Sequence, residues 1–183
     1  MDSIPQPIWI TTNSDLEKYC QLWQTQEFVA LDTEFVRTST FFPKAGLVQV
    51  ADAHDCYLVD PLTITDWSSF ADLLDNQHVV KVFHACSEDL EVCHRLTGTV
   101  PSPVADTQLG AALASLGGIM GFQRLVKAVL DLDIDKGETR SDWLQRPLRP
   151  QQIEYAVADV FYLYQCYQRL VEVLSRMGRL TWW

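Results

Sequence analysis

The stretch FVALDTEFVRTSTFFPKAGLVQVADAHDCYLV, residues 28–59, decides the fold class. It holds three short apolar runs: Phe28-Val29-Ala30-Leu31, Leu47-Val48-Gln49-Val50-Ala51 and Tyr57-Leu58-Val59. All three have strand length and strand composition. Asp52-Ala53-His54-Asp55, between the second and third, has the composition of a hairpin turn. The three runs are therefore expected to form an antiparallel meander. Downstream the pattern changes to helix–strand alternation. Residues 66–75 read as a helix and Val79–Phe83 as a strand. Ser87–Leu96 reads as a helix with Ser87 as its N-cap and acids in its first turn. Val104-Ala105-Asp106 is a short strand, and Thr107–Leu116 a helix broken by Gly117-Gly118. Phe122, Leu125, Val126, Val129 and Leu130 mark a further helix, and 131–149 is a polar loop. A last, long helix starts at Pro150, a residue favoured at the first helical position. Its apolar stripe runs through Ile153, Ala156, Val157, Val160, Tyr164, Tyr167, Val171 and Leu174. Upstream of the meander, 13–24 reads as a helix capped by Asn13 or Ser14. Antiparallel strands first and alternation afterwards imply an α/β fold, a mixed five-stranded sheet flanked by helices.

The composition agrees. The chain has 183 residues, 48% apolar and 21% charged, which suits one folded domain with a full core and excludes disordered or collagen-like sequence. Domain organisation is read as one domain over 1–183, with no repeats and no linker. No apolar run approaches the roughly 18–20 residues of a membrane span. The first residues lack a basic segment followed by an apolar core, so no signal peptide and no membrane partner are expected. Five cysteines, odd in number and without a C-x-x-C pair, support neither a zinc knuckle nor a disulfide framework. A reduced, cytoplasmic protein is expected. Fourteen Lys and Arg against 24 Asp and Glu give a net charge of −10, which argues against indiscriminate nucleic-acid binding. It leaves room for a nucleic-acid enzyme whose carboxylates hold metal.

The carboxylates carry the chemistry. Asp32 and Glu34 follow directly on the first apolar run, and residues i and i+2 of an extended chain share a face. Both would project together from the end of a buried strand. A surface turn explains an arbitrary D-x-E as well, but side-by-side like charges are relieved by a divalent cation. Asp89 stands in the first turn of its helix, where the helix dipole alone accounts for an acid, as it does for Glu88 and Glu91. Tyr155 and Asp159 lie four apart on the last helix, on a face offset from the apolar stripe. Four carboxylates and one phenol thus sit on three elements, each at the end or on the inward side of its element. Such hard oxygen ligands suit Mg²⁺ or Mn²⁺.

Asp32-Thr33-Glu34, then Asp89 within HACSEDLEV (84–92), then Tyr155-x-x-x-Asp159 resembles the three motifs of the DEDD superfamily of 3′→5′ exonucleases. The strings DTEFVR (32–37), ADTQ (105–108), RSDWLQRPL (140–148) and EYAVADVFYL (154–163) resemble the bacterial ribonuclease D family in particular. The resemblance runs from about residue 8 to about residue 175. It implies a ribonuclease H-like fold and a metal-dependent exoribonuclease that releases 5′-mononucleotides from the 3′ ends of RNA, transfer-RNA-like precursors among them. It also implies a cofactor of two divalent cations, Mg²⁺ or Mn²⁺, flanking the bond that is cut. Asp32 would bridge the two. Glu34 and Asp159 would complete the site of the ion that holds the attacking water, Asp89 would hold the second ion, and Tyr155 would orient the water. Glu154 stands where the superfamily's other branch has histidine, which places the chain in the tyrosine branch. The family's usual helical nucleic-acid-binding modules have no counterpart before Trp183. Two rival readings are a 3′→5′ exonuclease for single-stranded DNA and a catalytically silent nucleic-acid-binding domain. The second is disfavoured because all four acids and the tyrosine are present.

Thr33, Phe35, His84, Lys136 and Arg140 are the candidate substrate-binding residues. Lys136 and Arg140 stand out because their loop immediately precedes the last helix. Arg37, Lys44, Arg146 and Arg149 are further possible phosphate contacts, with solvated surface charge as the competing reading. Phe41 and Phe42 join Phe35 as aromatics able to stack on bases, with core packing as the alternative. For His84 a hydrogen-bonded core position competes. Asp106 is read as a helix cap and Trp143 as the anchor of its loop.

Overall fold

The computed structural model describes residues 3–183, so Met1 and Asp2 of the expected domain lie outside it. Among the described residues six strands form one mixed sheet: β1 (Ile8–Ile10), β2 (Phe28–Val36), β3 (Lys44–Ala51), β4 (Cys56–Val59), β5 (Val80–Phe83) and β6 (Val104–Asp106). Their order is β1-β4-β3-β2-β5-β6. β2, β3 and β4 pair antiparallel, the expected meander, while β5 joins β2 and β6 joins β5 in parallel. The expected five-stranded sheet is corrected to six by β1, which pairs parallel with β4 at the edge. Three residues, Ile8-Trp9-Ile10, are too short for periodicity to register, and prolines at 5 and 7 precede them.

Helices cover both faces. On one side lie α1 (Asn13–Trp23), α2 (Ser68–Asp75) and α3 (Ser87–Thr97); on the other lie α4 (Thr107–Leu113), α5 (Phe122–Leu130) and α6 (Pro150–Arg176). The period-2 alternation of β2 feeds both cores. Val29 and Leu31 join Trp23, Tyr57 and Phe70 on the α1/α2 side, whereas Ala30 joins Trp143, Ala156 and Val160 on the α6 side. Burying such side chains is worth roughly 1.5–3 kcal/mol each, which is what orients β2.

Several boundaries differ from the sequence reading. Strand β2 does not stop at Leu31 but runs through the acids to Val36, with a register shift between Glu34 and Phe35. Asp32 and Glu34 therefore stand inside the sheet rather than at a strand end. The α1 cap is Thr12, whose hydroxyl accepts from the Asp15 amide at 3.1 Å; the Asn13 side chain instead accepts from the Thr65 and Asp66 amides. Helix α3 takes no side-chain cap from Ser87, because the chain before it is held by Asp106, whose carboxylate accepts from the amides of Ala85 and Cys86. The same carboxylate caps α4 through the Gln108 amide, as expected. Helix α4 ends at Leu113, three residues early. On α6 the buried residues are Gln152, Ala156, Val157, Asp159, Val160, Leu163, Cys166, Leu170 and Leu174, so Ala156, Val157, Val160 and Leu174 of the expected stripe are buried as read, and Asp159 lies among them and not offset from them. Counting only apolar residues left out the acid that is buried among them.

Candidate active site

Strand parity brings the acids together. Asp32 and Glu34 continue the Ala30 side of β2 and face α6, where Asp159 meets them. Carboxylate oxygens of Asp32, Glu34 and Asp159 lie within 4.8 Å of one another. Thr33, between the two acids, faces the opposite way, and its hydroxyl donates to Asp89 on α3 at 2.5 Å. The site thus straddles the sheet, with three carboxylates on the α6 side and the fourth tied to the strand from the α3 side. The Thr33 amide also donates to Asp32 at 2.9 Å.

One contributor is absent from the sequence reading. Gln49 is fully buried on β3, pairs across the strands with Asp32, and donates from Nε2 to Glu34 Oε1 at 3.1 Å. An amide in the middle of Leu47-Val48-Gln49-Val50-Ala51 was the available signal, since a buried polar side chain requires a partner.

No lysine or arginine forms an ion pair with any of the four acids among the described residues. Burial, with the charge of Asp159 added, raises the Asp32 carboxyl well above its ordinary range. Burial and the charges of Asp32 and Asp159 do the same to Glu34. Asp89 is pushed up to about 8 by burial and then by Asp32. Asp159 is pushed up to about 7, again by burial first. Among the described residues no cationic side chain compensates this cluster of hard oxygen donors, and a divalent cation fits it.

A cavity of about 240 Å³ opens on the α6 side, lined by Asp32, Asp159, Tyr155, Thr139, His84 and Phe122 among others. The Tyr155 hydroxyl lies 3.3 Å from the Thr139 hydroxyl, and burial and then the Asp159 charge raise its pKa. His84 hydrogen-bonds through both ring nitrogens, to Thr107 Oγ1 and to the Met120 carbonyl, each at 2.9 Å. A carbonyl only accepts, so Nε2 carries a proton. Burial lowers the pKa of this imidazole. His84 is thus at once a hydrogen-bonded residue and part of the cavity wall.

Loop 131–149 closes the remaining side. Trp143 is fully buried against Gly46, as an anchor should be, and Arg146 binds Asp60 at 2.8 Å and the Gly46 carbonyl at 2.6 Å. Gln152 accepts from the Arg149 amide and donates to the Asp142 carbonyl, fastening the loop to α6. Three of the possible phosphate contacts are already engaged: Arg37 with Glu91, Arg146 with Asp60 and Arg149 with Glu138. Lys44, Lys136 and Arg140 are exposed and form no ion pair among the described residues. Phe35 is half-buried on β2. No helix among the described residues is long and apolar enough to cross a membrane.

Comparison with known proteins agrees with this geometry. Residues 7–175 match the family model described as 3'-5' exonuclease. Ribonuclease D of Pseudomonas paraeruginosa is 53% identical over 175 residues, which cover 96% of this chain and 46% of that protein. The crystal structure of Escherichia coli RNase D, described as an exoribonuclease involved in structured RNA processing, superposes with a TM-score of 0.91 at 41% identity, covering 96% of this chain and 47% of that one. Brucella melitensis NrnC, solved with bound Mg²⁺, gives a TM-score of 0.78 at 25% identity over 96% of this chain and 84% of that one. The chain spans about half the length of the ribonuclease D proteins it matches. With the acids gathered on a sheet of this topology, and a family match over nearly its whole length, the chain belongs to the 3′-5′ exonuclease family and is similar to about half the length of the ribonuclease D proteins it matches.

Proposed function

We propose that this domain is a metal-dependent 3′→5′ exoribonuclease that hydrolyses RNA from its 3′ end and releases 5′-mononucleotides. The observation that carries the reading is the convergence of Asp32, Glu34 and Asp159 within 4.8 Å, with no lysine or arginine paired to them among the described residues. Two divalent cations, Mg²⁺ or Mn²⁺, are the proposed cofactors; Asp32, Glu34 and Asp159 would hold one, and Asp32 with Asp89 the other. When bound, they supply Lewis acidity toward the scissile phosphate and lower the pKa of water. The Mg²⁺ of the related NrnC supports that choice for this chain.

The chain's own side chains do the positioning. Gln49 holds Glu34, and Thr33 holds Asp89, so we reassign Thr33 from substrate contact to orienting that carboxylate. The Tyr155 hydroxyl faces the cavity beside Asp159 and orients the attacking water. Its raised pKa makes it a hydrogen-bonding group, not a phenolate base, at neutral pH. Water adds to phosphorus, the bond to the 3′ oxygen of the preceding nucleotide breaks, and that oxygen takes a proton. His84 and Phe35 are proposed to border the terminal nucleotide, with Lys136 and Arg140 supplying charge to the RNA backbone from the loop before α6. The cytoplasm is the proposed compartment, since all five thiols are unpaired.

The test offers 5′-labelled single-stranded RNA and DNA of one sequence with Mg²⁺ or Mn²⁺. A ladder shortening from the 3′ end of RNA, absent in EDTA and in Asp32→Ala, is expected. Degradation of DNA alone, or no degradation of either, would refute the proposal.

A further inference from the structure

The loop between β2 and β3 displays an aromatic surface that the site described above does not use. Phe41 is 83% exposed and Phe42 45% exposed, with their rings edge to face at 4.9 Å between centroids. The guanidinium of Arg95, from α3, lies 3.1 Å from the Phe42 ring centroid and has no carboxylate partner among the described residues. The loop is held in this shape. Arg37 donates to the Phe41 carbonyl at 3.3 Å and to Glu91 of α3 at 2.7 Å, and the Thr40 hydroxyl donates to the Phe42 carbonyl at 2.6 Å. Polar anchors thus fix the backbone on α3 and leave the Phe41 ring in water. Phe41 and Phe42 form one contiguous exposed aromatic patch rather than two scattered apolar residues, and such patches mark binding surfaces.

We infer that Phe41, on a platform of Phe42 and Arg95, is a stacking station for bases of single-stranded RNA on the 5′ side of the bond being cut. This rests on the RNA reading proposed above. Its place in the fold supports it, because the surface shares both of its elements with the active site. Strand β2 carries Asp32 and Glu34 and leads straight into the loop, and α3 carries both Asp89 and Arg95. Six helical residues span about 9 Å at roughly 1.5 Å each. Bases stacked about 3.4 Å apart would cover that distance in two to three steps. The chemistry is also complementary. A base presents a π face to Phe41, and its phosphate meets Arg95 and the exposed Lys44. Every base has such a face, so the station would grip RNA regardless of sequence.

The experiment measures kcat and KM with Mg²⁺ on a dinucleotide and on a five-nucleotide RNA ending in the same dinucleotide. The wild-type domain should show a lower KM for the longer RNA. Phe41→Ala should raise that KM roughly five- to a hundredfold, the range for losing one stacked base, and leave both constants for the dinucleotide unchanged. Phe41→Trp should keep the advantage of length. An RNA lacking bases at the third to fifth positions from its 3′ end should lose that advantage on the wild-type domain, with no mutation involved. Equal length dependence in wild type and Phe41→Ala overturns this inference alone, as does equal damage to dinucleotide cleavage. A wild-type domain that degrades neither RNA overturns the exonuclease reading, and this inference with it.

Discussion

Replacing Asp159 by Asn should stabilise the metal-free domain near pH 8 and fail to do so near pH 5. Asp159 is 9% exposed and has oxygens within 4.8 Å of Asp32 and Glu34. Burial above all, with the charge of Asp89 added and a hydrogen bond with Asp32 opposing, raises its carboxyl from 3.8 to about 7. The folded state thus binds this proton more tightly than the unfolded chain does. The resulting stability is fully present below pH 3.8 and is lost as pH rises through 7. From 3.8 to about 7 is roughly three pH units, so ionising this group in the native state costs on the order of 4 kcal/mol near pH 8. An Asn amide carries no charge but leaves polar atoms to satisfy, at about 1–3 kcal/mol. The expected net gain is therefore about 1–3 kcal/mol near pH 8. Near pH 5 the native carboxyl is protonated, and the substitution should be neutral or slightly destabilising. Urea unfolding in EDTA at both pH values measures this directly. Saturating Mg²⁺ near pH 8 should then reverse the order, because it stabilises the protein that binds it. A stability difference independent of pH, or an Asp159→Asn domain less stable than wild type near pH 8 in EDTA, would refute the electrostatic reasoning.

Three further outcomes are expected. Tyr155→Phe should slow single-turnover hydrolysis by roughly 10²-fold, with Mg²⁺ affinity by calorimetry unchanged, since the phenol is a positioning group and not a ligand. Gln49→Leu should lower thermal stability by about 1–3 kcal/mol, because the buried Glu34 oxygen loses its donor while the Gln49 amide oxygen already lacks a partner; kcat should fall as well. Gly46→Ala would place a Cβ 2.5 Å from the Trp143 carbonyl oxygen, so loop 131–149 must shift; a loss of about 1–3 kcal/mol in chemical denaturation, with reduced activity, is the expected result.

The parts of the fold legible in the sequence were those with a long or repeated pattern. The meander over 28–59, the alternation after it and the start of α6 at Pro150 stand as expected. Strand β1 was illegible because three residues at a sheet edge owe their conformation to β4 and not to local pattern. The same tertiary override extends β2 past Leu31: Asp32 and Glu34 look like the end of a strand, yet their backbone pairs with Gln49 and Leu47. Of the expected α6 stripe, Ala156, Val157, Val160 and Leu174 are buried as read, but Asp159 is buried among them, since its burial serves the site at the expense of the apolar pattern. As for the site, the i, i+2 spacing of Asp32 and Glu34 placed two acids on one face, and the meeting with Asp159 depends on how α6 lies across the sheet. The link from Thr33 to Asp89 crosses 56 residues of sequence, and no local spacing encodes it.

The central claim is that these carboxylates and Tyr155 direct water onto phosphorus at the 3′ end of RNA. Digestion in ¹⁸O-labelled water, followed by mass spectrometry of the released nucleotides, tests it most directly. The account predicts 5′-mononucleotides, each formed with one ¹⁸O in its phosphate, from 3′-hydroxyl RNA and only with divalent metal. Unlabelled products, 2′,3′-cyclic or 3′-phosphate ends, or internal cuts in RNA whose 3′ end is blocked by phosphate would contradict it.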